Sequence, residues 1–67
     1  MELIAIGEII RERRKSRKVT QDDLAEIAGI SIRTLRDIEN GMGNPELETL
    51  VKICHALGLE IKVEVIK

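Results

Sequence analysis

The sequence predicts an all-α domain of four helices followed by a C-terminal β-strand, and three observations predict it. Apolar residues recur at three- and four-residue spacing along most of the chain, as in Leu35 and Ile38 or Leu47, Leu50, Ile53 and Leu57, which is the pattern of buried helical stripes. Gly29 and the Gly41 to Pro45 stretch interrupt that pattern where helices end and restart,. After Gly58 the period falls from 3.6 to 2, with Leu59, Ile61, Val63 and Val65 alternating with Glu60, Lys62 and Glu64, as in a half-buried strand.

Helix 1 is expected over residues 3–17, with Ile6, Ile10 and Arg14 on the face that meets the rest of the domain. Its C-terminal half, RERRKSRK, places cations at the negative end of the helix dipole. Two readings of that run stand side by side, a solvated helix end and a set of phosphate contacts through Arg11, Lys15 and Lys18.

Helix 2 is expected over 20–28, capped by Thr20 with Asp23 three residues on. Leu24 and Ala25 point inward, and the small Ala25 lets a neighbouring helix approach. Gln21 follows the cap, where unpaired N–H groups suit an anion and a neutral amide can add a donor. Gly29 takes a left-handed turn. Helix 3, over 31–40, is capped by Ser31 and returns Leu35 and Ile38 to the same core. Helices 2 and 3 with the tight turn at Gly29 make a helix-turn-helix whose second helix is open to the outside, so its outward residues are the candidate base readers: Ser31, Ile32, Arg33, Thr34, Arg36 and Asp37. Arg33 can fork two hydrogen bonds onto guanine, Ile32 can pack on a thymine methyl, and Asp37 can accept from cytosine or hold Arg33 from one turn on.

Helix 4 is expected over 45–57, with Asn44 as cap and Pro45 at the first helical position. Leu47, Leu50, Ile53 and Leu57 form its core stripe. Cys54 and His55 are adjacent and point about 100° apart on a helix, so they read as a packed thiol and a partly exposed imidazole. The strand is expected over 59–66 and has no obvious partner within the chain. Pairing with a second copy can be ranked by charge, because like charges directly opposite are unfavourable. A two-fold axis at Val63 sets Lys62 against Glu64 twice and Ile61 against Val65. An axis at Ile61 ranks second, and axes at Lys62 or Glu64 oppose like charges.

Composition narrows the functional classes. The chain has 67 residues, one small domain that is marginal by itself and invites a partner subunit. It contains no aromatic residue, so base stacking is not available and recognition must use grooves or surfaces. A single Cys and a single His cannot supply a disulfide or a four-ligand zinc site. No catalytic residue, metal ligand or cofactor is expected. With no long apolar run and no signal-peptide pattern, the expected setting is cytoplasmic, without a membrane partner. Net charge is −1, yet residues 11 to 18 carry six cations against one Glu, leaving eleven acids against five bases elsewhere. Any nucleic-acid face must therefore be local.

Three segments carry a resemblance that covers nearly the whole chain: TQDDLAEIAGIS from Thr20, IENG from Ile38, and NPELETLVKICHALGL from Asn44. Together they resemble the lambda-repressor-like helix-turn-helix DNA-binding domains of the Cro and xenobiotic-response-element type. The resemblance implies a largely buried ion pair between Arg14 and Glu39, phosphate contact by Gln21 and Asn40, and a close backbone approach to DNA around Gly41, Met42 and Gly43. Met42 departs from the Lys or Arg often found there. The alternating tail is similar to the branch that includes the antitoxin of the HipBA toxin–antitoxin pair, in which a C-terminal strand pairs across a dimer. The function expected is sequence-specific binding of double-stranded DNA by a homodimer at a pseudo-palindromic operator, to repress transcription, with a toxin protein as a further partner under the antitoxin reading. A protein-interaction adaptor that keeps the fold without DNA binding is the alternative.

Overall fold

The computed structural model describes residues 2–66. Its helices are α1 (Leu3–Ser16), α2 (Gln21–Ala28), α3 (Ile32–Glu39) and α4 (Leu47–Ala56). Two of the starts follow from side-chain caps. The Thr20 hydroxyl accepts the Asp23 N–H at 3.0 Å and the Ser31 hydroxyl accepts that of Thr34 at 3.1 Å, each satisfying a donor that a helix N-terminus leaves open. The expected ranges 20–28 and 31–40 include these cap positions, which explains the one-residue differences.

All four helices end in the same way, with a residue at positive φ and two backbone hydrogen bonds that fold the chain back over the last turn. After α2, the Ile30 N–H reaches Ala25 O at 3.0 Å and the Gly29 N–H reaches Glu26 O at 3.2 Å. Gly29 has φ +70° and open space where a Cβ would lie, so the backbone angle alone calls for glycine there. After α1 the equivalent position is Lys18, at φ 56°, while the Val19 N–H reaches Arg14 O at 3.1 Å.

The helices pack α1 on α3, α3 on α2 and α2 on α4, around a core of Ile10, Leu24, Ala25, Ala28, Leu35, Ile38, Leu50, Ile53 and Leu57. Ile6 is half-buried against it. At Gly7, α1 crosses the end of α3 closely. A Cβ on Gly7 would collide with the Ile38 carbonyl oxygen and lie 2.8 Å from that of Glu39. Periodicity gives no hint of this, because it marks which residues face inward and not how near the facing backbone comes.

Two expectations are corrected. Helix 4 begins at Leu47, not 45: Glu46 is extended (φ −70°, ψ 146°) and accepts the Leu50 N–H at 3.1 Å, so Asn44 and Pro45 belong to the loop. Leu47 consequently sits on the first turn, 66% exposed, and Cys54 joins Leu50 and Ile53 as the buried residues of α4. Residues 59–66 form no strand, because a β-ladder needs a second backbone and helices offer no free edge. Leu59 is still tied to the domain, packing on the core and donating its N–H to Cys54 O at 2.8 Å. Beyond it Val63 and Val65 are 97% and 90% exposed. Among the described residues no helix is long and apolar enough to cross a membrane.

Candidate nucleic-acid interface

Glu39, at the end of α3, is the hub of this face. It is buried and accepts from Arg14 of α1 through both oxygens, Nε to Oε2 at 2.7 Å and Nη2 to Oε1 at 3.0 Å. This two-point geometry is the strong form of an arginine–carboxylate contact. Arg14 also donates to Val19 O at 3.0 Å, which pins the α1–α2 turn. Gln21 of α2 donates its amide to Glu39 Oε1 at 3.2 Å, and Arg11 lies 3.7 Å from the same oxygen. Three helices thus converge on one carboxylate.

Burial is the largest single influence on Glu39 and by itself would raise the carboxyl pKa. Hydrogen bonds from Arg14 and Gln21, with the charges of Arg14 and Arg11, outweigh it and hold the group below the ordinary carboxylate range. The hydrogen bond to Glu39 raises the Arg14 guanidinium above its ordinary value, against a smaller opposing effect of burial.

The outward face of α3 is arranged around this hub. Arg33 and Arg36 are exposed. Arg36 reaches Gln21 Oε1 at 3.4 Å, so the Gln21 amide joins Glu39 to Arg36, and both its ends are engaged. Ser31 and Thr34 bond to each other, hydroxyl to hydroxyl, at 2.9 Å. Asp37 is half-buried and, among the described residues, forms no ion pair with Arg33. Ile32 corrects the expectation of an exposed contact residue: it is half-buried and packs against the core. At the first turn of an eight-residue helix, a large apolar side chain can fold down over the adjacent core even when it lies off the main stripe.

Asn40 is exposed at the end of α3, with its carbonyl oxygen accepting from Arg11 Nη2 at 2.8 Å. That leaves the amide N–H groups as the end presented outward. Met42 is exposed in the loop that follows, and its N–H is satisfied by Asp37 O at 2.8 Å.

The basic run separates into two sets. Arg11 donates to Glu39 O at 2.8 Å, Arg13 donates to Leu57 O at 2.8 Å, and Arg14 is buried on Glu39. Lys15, Arg17 and Lys18 are exposed. The role of Arg13, tying the end of α1 to the end of α4, has no signal in the sequence, since its partner lies 44 residues away and offers only a backbone carbonyl.

Comparison with known proteins agrees with this arrangement. Residues 10–63 match the helix-turn-helix family model. The chain is 43% identical over 58 residues to the immunity repressor protein of Bacillus phage phi105, covering 87% of this chain and 40% of that protein. It therefore spans less than half the length of that relative. Among solved structures, it superposes on the clp gene regulator ClgR of Corynebacterium glutamicum with a TM-score of 0.82 at 34% identity, covering 88% of this chain and 76% of that one. It also superposes on SinR, the master regulator for biofilm formation, solved in complex with DNA, with a TM-score of 0.74 at 34% identity, covering 82% and 89% of the two chains. With two capped helices joined by a left-handed glycine, a buried Arg14–Glu39 pair beneath the second of them, and these matches over most of its length, the chain belongs to the lambda-repressor-like helix-turn-helix family.

Proposed function

We propose that this domain binds double-stranded DNA in a sequence-specific way and represses transcription, with α3 in the major groove. The observation that carries the reading is the support beneath α3: Glu39 ties its C-terminal end to α1 and, through Gln21, to α2, while Arg33 and Arg36 remain exposed. A recognition helix needs rigid placement and free donors together, because base contacts specify only when backbone contacts set the register. Arg33 is the principal base reader, and Ser31, Thr34, Arg36 and Asp37 border it. Asn40, the Met42 loop, Lys15 and Lys18 position the phosphate backbone, joined by Gln21 through the one amide N–H it does not give to Glu39, and Arg11 contributes by orienting Asn40. The phage repressor among its relatives and the DNA-bound SinR among its structural neighbours support the reading.

The functional unit in this proposal is a homodimer on a pseudo-palindromic operator, reading half-sites roughly 34 to 36 Å apart. Pairing of the two tails about Val63 supplies the two-fold axis. The alternating tail also supports the finer antitoxin reading with a toxin partner, for which a kinase-like or nuclease-like gene beside this one is the observation to seek. One structural observation favours the adaptor alternative: three of the six cations in the basic run, Arg11, Arg13 and Arg14, are engaged inside the domain, which leaves less free charge for phosphate.

Fluorescence anisotropy against the promoter region next to the gene, with random duplex as competitor, separates these readings. Specific binding is expected, and Arg33→Ala should weaken it by about 1 to 3 kcal/mol while leaving random-duplex binding nearly unchanged. Gln21→Ala should weaken both, and the specific complex more if its link to Arg36 matters. Equal loss on both duplexes for Arg33→Ala refutes base reading, and no specific binding by the unmodified protein favours the adaptor.

A further inference from the structure

The outer residues of α3 point three ways. Arg33 lies most nearly opposite the buried Leu35 and Ile38 and faces straight outward. Thr34 and Asp37 lie on the flank toward the following loop, where they share a shallow depression of about 130 Å³ with Met42 and Pro45. Arg36 lies about 60° around the helix from Arg33, on the other flank, and its Nε donates to Gln21 Oε1 of α2 at 3.4 Å. We propose that Gln21 aims Arg36 at the DNA phosphate backbone, so that Arg36 anchors the domain and does not read a base. This rests on the reading of α3 as a groove-bound helix and separates the roles of its two exposed arginines.

In a helix-turn-helix the recognition helix lies in the groove while the helix before it crosses the backbone. A side chain of α3 that turns toward α2 therefore turns away from the base edges and toward phosphate. The aim is anchored in the core: Arg14 holds Glu39, Glu39 accepts from Gln21 Nε2 at 3.2 Å, and Gln21 Oε1 receives Arg36. At 3.4 Å the last contact is long, so it steers the guanidinium rather than locking it. It occupies Nε and leaves both Nη groups for the paired oxygens of a phosphate, a geometry that suits the planar fork of arginine. Charge adds a reason for a cation here. Asp22 and Asp23 stand exposed in the first turn of α2 and repel phosphate, and α2 contains no Lys or Arg of its own. Arg36 brings a positive charge to that side from α3. Drawing it toward α2 also parts it from Arg33, a like charge one turn away on the same helix.

The test measures binding to the promoter duplex next to the gene, to its single-base variants and to random duplex, each across a range of salt. Arg36 is exposed, so Arg36→Ala should melt like the parent. It should weaken binding on the order of tenfold, keep the ranking of the base variants, and make the slope of log affinity against log salt shallower by about 1. Arg36→Lys, which keeps the charge, should restore the slope. Arg33→Ala should instead flatten the preference at one base pair. If Gln21 aims Arg36, Gln21→Ala costs less in the Arg36→Ala background than in the parent. The inference is overturned if Arg36→Ala flattens the preference at a base pair with the salt slope unchanged, if it leaves affinity unchanged, or if the Gln21 and Arg36 losses simply add. A parent protein that binds all duplexes alike defeats the sequence-specific repressor reading, and the salt slope on random duplex still decides the role of Arg36. Selective promoter binding that Arg36→Ala leaves intact defeats this inference alone, and a parent that binds no duplex defeats both.

Discussion

The two ends of this small domain are built on opposite plans. Around Glu39 every polar group has a partner: Arg14 holds both carboxylate oxygens, Gln21 and Arg11 approach one of them, and no buried side-chain polar atom among the described residues lacks a hydrogen bond. Around Leu47 and the tail, apolar side chains lie open with nothing across from them. The contrast teaches which surface is finished within one chain. The Glu39 end is stabilised from inside and can present α3 as a rigid body, while the tail end contributes little to the monomer and is suited to another molecule.

The sharpest way to break this comparison is at the ion pair. Removing one partner, as in Glu39→Ala, should cost roughly 3 to 5 kcal/mol because a charge is left buried and unpaired, whereas Arg14→Met with Glu39→Leu should be much closer to neutral. Urea denaturation of the two singles and the double measures the coupling. Small, additive effects would mean the pair behaves as a surface contact.

Gly7→Ala comes next. An exposed Gly→Ala in a helix gains about 1 kcal/mol, but here the new methyl meets two backbone carbonyls of α3 that cannot swing aside. A net loss of about 1 to 3 kcal/mol is expected, the range for overpacking, and thermal melts would show it. A gain in stability would place the α1–α3 crossing farther apart.

Acid should act on the same end. The Glu39 carboxyl is held low in the folded state, while in the unfolded chain it titrates near its ordinary value of about 4.3. The unfolded state therefore binds more protons in the window below that value, so stability rises with pH there. The contribution is complete above the ordinary value and is lost as pH falls through the depressed one. Urea midpoints measured from pH 6 downward should fall, and Glu39→Gln should flatten the slope; an unchanged slope would assign acid sensitivity to other carboxylates.

The smallest effect belongs to the tail. Val63→Thr at low protein concentration should change stability by no more than about 0.5 kcal/mol, as surface substitutions usually do. Truncation should follow Lys62 rather than Gly58, because Leu59 packs on the core. A large loss of monomer stability from Val63→Thr would show the tail to be part of the domain after all.

Much of the helix-turn-helix was legible in the letters because its requirements are local. A hydroxyl at Thr20 and Ser31, a glycine at Gly29 and the spacing of Leu24, Leu35 and Ile38 each answer to a neighbour within a turn or two, so the four helices and the family could be read from order alone. The site was legible less evenly. That Arg33 and Arg36 stand on the outer face follows from helical periodicity, but Ile32 does not follow its phase, and the Gln21 amide turns to Glu39 and Arg36.

What order could not supply was distance between segments far apart in the chain. Nothing near Gly7 announces the α3 carbonyls above it, nothing near Arg13 points to the Leu57 carbonyl, and nothing in the basic run distinguishes Arg11, turned inward onto Glu39, from Lys15, left in water. The tail carries the same division one level higher. Its alternation fixes which side chains share a face, but a strand exists only when a second backbone lies beside it, and that depends on a neighbour rather than on the segment's own residues.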